Sequence, residues 1–343
     1  MRLRSALAGA LVLVAVAAGT AACSATNAAP FAVTGYASTG ATTDAQLAAS
    51  RKAMTIVGVD GVTLTSDGAG VSPVGSANLA LLREAHHIHK KAELLFSNYS
   101  NAIGDFDANL VARMLKSPAA RSAVVGTLAA DVRSQGWDGI TIDLESLNNF
   151  GSSGHTRDDN AGLVAFAKEL RAALGKKSIS ICLSATTGSY KDLGYDLAAL
   201  GHSVDHVVLM AYDQHGPSWS SAGPIGGYPW AKSSLNGLTR ALPASKIQLG
   251  IGEYGYSWPA GSANGTPRGG GPYTDAQARA LVKKDHVSGR WDATQQEWHA
   301  TLKNGTSLWW SDARSYRARL ALAHALNLGG VAVWSLGQGD PLH

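Results

Sequence analysis

From residue 31 onward the chain carries eight apolar, β-type runs separated by helical patterns, and this alternation limits what it can fold into. The runs are FAVTGYA (31–37), MTIVGV (54–59), ELLFSNY (93–99), GITIDLE (139–145), SISICLSA (178–185), HVVLMAYD (206–213), IQLGIGEYG (247–255) and GVAVWSLG (330–337). Helical patterns occupy 43–52, 76–90, 121–136, 159–175 and 312–327. Strands alternating with helices predict a parallel sheet covered by helices, and eight strands is the number that closes a (β/α)8 TIM barrel. An open doubly wound sheet is the competing architecture, but no Gly-rich phosphate fingerprint follows the first run. With 45% hydrophobic residues over 343 positions, the chain can build a large core.

Residues 256–310 are too long for a simple barrel loop and contain PAGSANGTPRGGGP. They predict a small insertion subdomain after the seventh strand, packed over the barrel mouth. The N-terminus is a different kind of segment. Arg2 and Arg4 precede an apolar stretch, Leu7–Ala18, and small residues then lead to Cys23. Residues 1–22 therefore predict an export signal, 23–30 a short linker and 31–343 the barrel. The TAAC sequence resembles a lipoprotein cleavage site, with Cys23 as the lipidated residue. Thr20 stands where such sites usually carry Leu, so plain secretion is the alternative. The net charge of +4 falls to +2 once Arg2 and Arg4 are removed, and no run of five basic residues occurs. Nucleic acid is therefore not an expected partner, and the membrane is expected only through the N-terminal lipid. Cys182 is the second and last cysteine, so the exported domain is no disulfide scaffold. A monomer is expected, with no cofactor and no metal. The His86, His87 and His89 group lacks an acidic or cysteine partner in sequence and reads as a solvated helix end.

The fourth run places two acids, Asp143 and Glu145, inside a strand otherwise written for burial. Side chains alternate along a strand, so Ile140, Ile142 and Leu144 face the outer helices while Thr141, Asp143 and Glu145 face the barrel interior. They lie at the strand's C-terminal end, where barrels of this type place their chemistry. Their α-carbons are about 6.6 Å apart, close enough for the carboxyls to share a proton. Two such groups in a shielded site push their pKa values apart, leaving one protonated and one ionised. An ion-paired structural couple is the bland alternative on this strand alone.

Three motifs weigh against it. The fourth strand reads Asp138, Thr141, Asp143, Glu145, the sixth ends in MAYD (Met210 to Asp213), and the last carries Trp334 in VAVWSLG. In this order they resemble glycoside hydrolase family 18, the chitinase-like barrels, with its D-x-x-D-x-D-x-E and M-x-Y-D patterns. MAYDQHGP and GIGEYGYSW look most like the bacterial cell-wall and spore-germination branch. The resemblance implies hydrolysis of β-1,4 linkages in an N-acetylglucosamine-containing polysaccharide, peptidoglycan or chitin, by substrate-assisted retaining catalysis. It makes Glu145 the general acid, Asp143 the acceptor of the acetamido N–H and Tyr212 the donor to the acetamido oxygen. It assigns Asp213 to sugar binding or to tuning the acid pair, and Trp334 to the platform beneath the ring, with Met210 part of the same motif. Thr141 departs from the family Asp, and its hydroxyl is expected to donate to Asp143. Asn98 and Tyr254, at the ends of the third and seventh strands, are candidate substrate contacts. Cys182 reads as a small buried hydrophobe. A non-catalytic sugar-binding barrel and a retaining glycosidase with a protein nucleophile are the rival functions. The latter needs a second carboxylate about 5–5.5 Å from the acid, and only Asp213 offers one.

The N-terminal expectation has its own test. Cys23→Ser should move the protein from the membrane to the soluble fraction if acyl chains supply the anchor. A wild type already soluble on fractionation would establish plain secretion instead.

Overall fold

Parallel strands separated by helices close on themselves here, and the sheet has no free edge. The computed structural model describes residues 30–147, 158–261 and 269–343, so residues 1–22 and Cys23 lie outside the described residues. The first seven barrel strands are β1 (Ala32–Ser38), β2 (Ile56–Thr63), β3 (Lys91–Ser97), β4 (Gly139–Asp143), β5 (Ser178–Ser184), β6 (His206–Met210) and β7 (Ile247–Gly252). The next five, β8 (Gly255–Trp258), β9 (Gly270–Tyr273), β10 (Arg290–Asp292), β11 (Glu297–Thr301) and β12 (Ser307–Trp310), belong to the insertion. The last, β13 (Gly330–Trp334), pairs with β7 on one side and β1 on the other, completing an eight-stranded parallel barrel.

The helices are α1 (Asp44–Ser50), α2 (Ser76–His87), α3 (Ala108–Lys116), α4 (Pro118–Gln135), α5 (Asp158–Leu174), α6 (Leu197–Leu200), α7 (Tyr228–Thr239), α8 (Asp275–Lys284) and α9 (Ala313–Ala325). α4 shows how sequence sets the site strand. Ser117 caps its first turn by accepting from Ala120 N, and Pro118 fits there because no N–H is needed. Gly136 ends it at φ 88, a left-handed conformation that side-chain-bearing residues resist. That turn sends the chain through the fully buried Trp137 straight into β4. The periodicity over 121–136 located α4 but missed α3, which precedes it with only Ser117 between.

Alternation along the strands separates two cores. Outward residues such as Phe96, Ile140 and Ile142 pack with Leu128 and Phe166 of the helices. Inward residues Tyr36, Leu95, Cys182, Val208, Met210 and Ala332 fill the barrel, which is a packed interior and not a pore.

Between β7 and β13 the insertion forms an antiparallel sheet in the order β9-β8-β12-β11-β10, with α8 packed against it. A buried ion pair fastens it to the barrel. Glu297 on β11 accepts from Ile225 N at 2.7 Å, Gly226 N at 2.9 Å and Arg319 Nη2 of α9 at 3.0 Å. Arg319 also donates to the carbonyls of Gln296 and Gly226, both at 2.6 Å. Burial pushes the Glu297 carboxyl up, and the guanidinium opposes that shift. Among the described residues, no helix is long and apolar enough to cross a membrane.

Arg319→Ala would leave Glu297 buried and unpaired, and denaturant titration should show a loss of about 3–5 kcal/mol. Arg314→Ala, which removes a guanidinium stacked 4.0 Å over Trp291, should cost about 0.5–1 kcal/mol.

Candidate active site

Glu145 lies two residues beyond the last hydrogen-bonded residue of β4, and its backbone is held from both sides. Its N–H donates to Asn98 Oδ1 at 2.8 Å, and Asn98 Nδ2 donates back to the Glu145 carbonyl at 3.0 Å. The same Nδ2 reaches the Asp107 carbonyl at 3.2 Å. Ser146, at φ 57, then turns the chain away in a left-handed conformation that few non-glycine residues adopt. The acid is thus presented by a fixed turn at the C-terminal end of the barrel.

Asp143 sits beneath it, 7% exposed, with Oδ1 buried and unpartnered. Burial pushes its carboxyl up to about 7, Asp60 on β2 adds like-charge repulsion, and the Cys182 thiol opposes both as a hydrogen-bond donor. Asp60 is itself raised by burial, against a 3.3 Å hydrogen bond from Ser38 Oγ. Glu145 stands well above the ordinary carboxylate range because it is desolvated and because Asp143, Asp213 and Asp105 repel a second negative charge. A carboxyl kept protonated near neutrality can donate its proton.

Asp213 follows Tyr212 at the end of the MAYD segment, at φ 55. Its Oδ1 accepts the hydroxyls of Tyr254 at 2.6 Å and Tyr256 at 3.0 Å. Desolvation raises its carboxyl and these two hydrogen bonds lower it. Burial holds the Tyr212 phenol well above its usual value, so it stays an O–H donor. Glu145, Ser184, Ala185, Met210, Tyr212, Asp213 and Trp230 line a cavity of about 240 Å³. Trp334, ending β13, packs on the barrel interior 5.7 Å from the Tyr36 ring, and also against the aromatic cluster of Tyr254, Tyr256 and Trp258.

Several candidates take positions other than those expected. Thr141 is 0% exposed and cannot touch a sugar. Its hydroxyl donates to Glu93 Oε2 at 3.0 Å, not to Asp143, because Glu93 on the neighbouring strand reaches into that layer. Asn98 is also 0% exposed, and its amide is spent on the Glu145 main chain. Tyr254 is buried with its hydroxyl on Asp213, so it orients that acid and does not line the cavity. Asp138 lies outside the site, accepting from Ala92 N and pairing with His86 at 2.9 Å. Cys182 is buried as expected, but it faces the interior beside Asp143.

Sequence reasoning passed over Tyr36, Glu93, Tyr256 and Trp219. The first two were findable, since each occupies an inward position in a strand run. Trp219, 49% exposed, stands beside Asp213, its Nε1 donating to the Asp213 carbonyl at 3.3 Å and its ring edge-on to Tyr256. Among the described residues, no three His, Cys, Asp or Glu side chains are gathered as a metal site.

The arrangement is a raised acid over a second buried acid, beside a tyrosine and an aromatic floor, at the C-terminal mouth of a closed barrel. The model of glycosyl hydrolases family 18 matches residues 97–339. The chain belongs to this family. It is a family 18 glycosidase whose curated relatives include the uncharacterized glycosylase YvbX of Bacillus subtilis, 27% identical over 277 residues, covering 77% of this chain and 76% of the relative. The cortical fragment-lytic enzyme of Bacillus anthracis is 26% identical over 262 residues, covering 72% of this chain. Here the match spans 57% of the relative's length. Among solved structures, a chitinase from Chromobacterium violaceum superimposes with a TM-score of 0.76 at 26% identity, covering 90% of this chain and 95% of that one.

Asp213 raises the Glu145 pKa by like-charge repulsion. Asp213→Asn keeps the shape and removes the charge, so the Glu145 pKa should fall. An acid that deprotonates earlier loses activity earlier, so the basic limb of the kcat/KM profile should move down by roughly 0.5–1 pH unit. A pH–rate series on wild type and variant checks this.

Proposed function

We propose that the protein is an exported glycosidase that cleaves β-1,4 linkages after N-acetylglucosamine in peptidoglycan or chitin, retaining configuration and using the substrate's own 2-acetamido group as nucleophile. The observation that carries this reading is the state of the carboxyls around Glu145. Asp143 ends β4 two residues before it with Oδ1 unpartnered, on the same side of a bound sugar as the acid, and Asp213 has an oxygen tied to two tyrosine hydroxyls. Neither arrangement suits a protein nucleophile facing the anomeric carbon across a sugar ring.

In this mechanism Glu145 gives its proton to the glycosidic oxygen as the bond to the anomeric carbon breaks. The acetamido oxygen attacks that carbon, forming an oxazolinium ion. Asp143 accepts the acetamido N–H, and its negative charge stabilises the ion. Tyr212 donates its hydroxyl to the acetamido oxygen, fixing the attack geometry. Water then enters, Glu145 takes its proton, and the ring opens to product with retained configuration. Trp334 supplies the apolar platform for the ring, and Trp219 an exposed indole face beside Asp213. The polymer choice follows the similarity to a cortical fragment-lytic enzyme and to a chitinase. The export half rests on Arg2, Arg4 and the apolar stretch before Cys23.

Incubating residues 24–343 with purified peptidoglycan and with chitin, and measuring reducing ends, tests the activity. Glu145→Gln cannot donate a proton and should lose at least about 10²-fold in rate while still binding the polymer. If wild type and Glu145→Gln bind equally and neither releases product, the non-catalytic sugar-binding barrel is the correct reading.

A further inference from the structure

The two ends of the barrel carry opposite charge, and the chemistry above uses only one of them. All eight strands are parallel, so their C-terminal ends share the face that presents Glu145 and their N-terminal ends share the opposite face. Asp60, Asp105, Asp143, Glu145 and Asp213 gather at the first. The opposite face, where strands begin and the long helices finish, is basic. Lys52 follows α1, Lys90 and Lys91 follow α2, Lys176 and Lys177 follow α5, and Lys246 leads into β7.

The acids of this face are already engaged. Asp138 accepts from Ala92 N and pairs with His86, while Asp205 accepts from Ile179 N and pairs with Arg171. Glu84 and Asp131 lie about a turn before the ends of α2 and α4. Positive side chains near helix C-termini also offset the macrodipole, and this accounts for part of the set. Lys177 Nζ donates to the Trp137 carbonyl at 2.6 Å, and Lys246 Nζ to those of Gly201 and Val204 at 2.6 and 2.8 Å. Lys52, Lys90, Lys91 and Lys176 have no such duty. Among the described residues their ammonium groups make no hydrogen bond or ion pair, and all but the half-buried Lys90 are exposed. Lys91, Lys176, Lys177 and Lys246 also rim a cavity of about 690 Å³ that opens on this face. Like charges held together without counter-charges repel one another, so an anionic partner outside the fold would relieve them.

The chain enters the barrel at the same face. Ala32 N donates to the Gly329 carbonyl, and the Phe31 ring stacks on His324 at the end of α9 with centroids 4.2 Å apart. Pro30 is seven residues from Cys23, a reach of at most about 25 Å. A domain of this size is roughly 50 Å across. A lipid on Cys23 would therefore keep the lysine face near the bilayer, and the acidic mouth could not turn to meet it.

We propose that this lysine face docks on an anionic lipid bilayer and directs Glu145 away from the membrane. Phosphate-bearing headgroups supply the missing counter-charge, and their repulsion of the acidic mouth fixes the orientation. The tether rests on lipidation of Cys23, whereas the affinity of the face for anionic lipid does not.

Residues 23–343 carrying Cys23→Ser, which cannot be acylated, test the face alone. This protein should sediment with vesicles of phosphatidylglycerol and phosphatidylcholine in equal parts, and not with phosphatidylcholine alone. Raised salt should release it. Lys52→Glu, Lys90→Glu, Lys91→Glu and Lys176→Glu combined should weaken vesicle binding at least about 10²-fold, since each lysine near such a surface contributes roughly fivefold. Lys232→Glu, Lys283→Glu, Lys284→Glu and Lys303→Glu combined reach the same net charge from exposed positions elsewhere, and should bind nearly as the parent does. A dye on Ser245→Cys should be quenched by spin-labelled headgroups, and one on Asn304→Cys in the insertion should not. The proposal is overturned if the parent ignores phosphatidylglycerol vesicles, if it binds soluble polyphosphate but no vesicle, or if both combined variants weaken equally. Should the first variant not fold, undiminished binding by Lys91→Gln with Lys176→Gln overturns it equally. If Cys23→Ser leaves cell fractionation unchanged, the lipidation reading fails while vesicle binding still decides the face.

Discussion

Desolvation of carboxyls inside a parallel barrel is the constraint on which the rest of the site depends. A charge taken from water is costly unless it is paired, and among the described residues no guanidinium or ammonium acts on Asp143 or Glu145. The low-cost response is to keep protons on the acids. The fold therefore sets the protonation state of the site before any substrate arrives. The same closed packing makes the interior rigid, and Asn98 extends that rigidity to the one acid that sits past the end of the sheet.

The insertion is part of this site and not an ornament on it. Tyr254 leaves β7, Tyr256 lies on β8, and both hydroxyls meet on one oxygen of Asp213. The ion pair of Glu297 with Arg319 anchors the same sheet to α9 and to the segment before α7. A change in how the insertion docks would therefore alter the electrostatics of the acid at the mouth.

Period-two alternation made much of this legible in the sequence. It gave the eight strands, the inward direction of Asp143 and the placement of Glu145 at the C-terminal end. The lone acid in AELLF and the cysteine in SISICLSA carry no local mark of a shared environment. Both are inward, and only the register between strands brings Glu93 to Thr141 and Ser180. Partners fixed by register across strands that are distant in sequence leave no local pattern. The insertion sheet was hidden for another reason. Its strands are three to five residues long, too short for a periodic signal to stand out. Asn98 reads in the sequence as a substrate contact because it stands at the end of a strand run, yet its amide is held by the backbones of Asp107 and Glu145.

The left-handed backbone at Asp213 has a consequence for how this enzyme can diverge. Residues at ease at φ 55 are glycine and the short polar pair asparagine and aspartate. β-Branched or bulky replacements are strained there before any question of chemistry arises. The position can therefore trade a negative charge for none, but it cannot grow. Lineages descending from such a chain would retune the acidity of the mouth at this residue while its contour stayed fixed, and any change in which sugars fit would have to come from elsewhere.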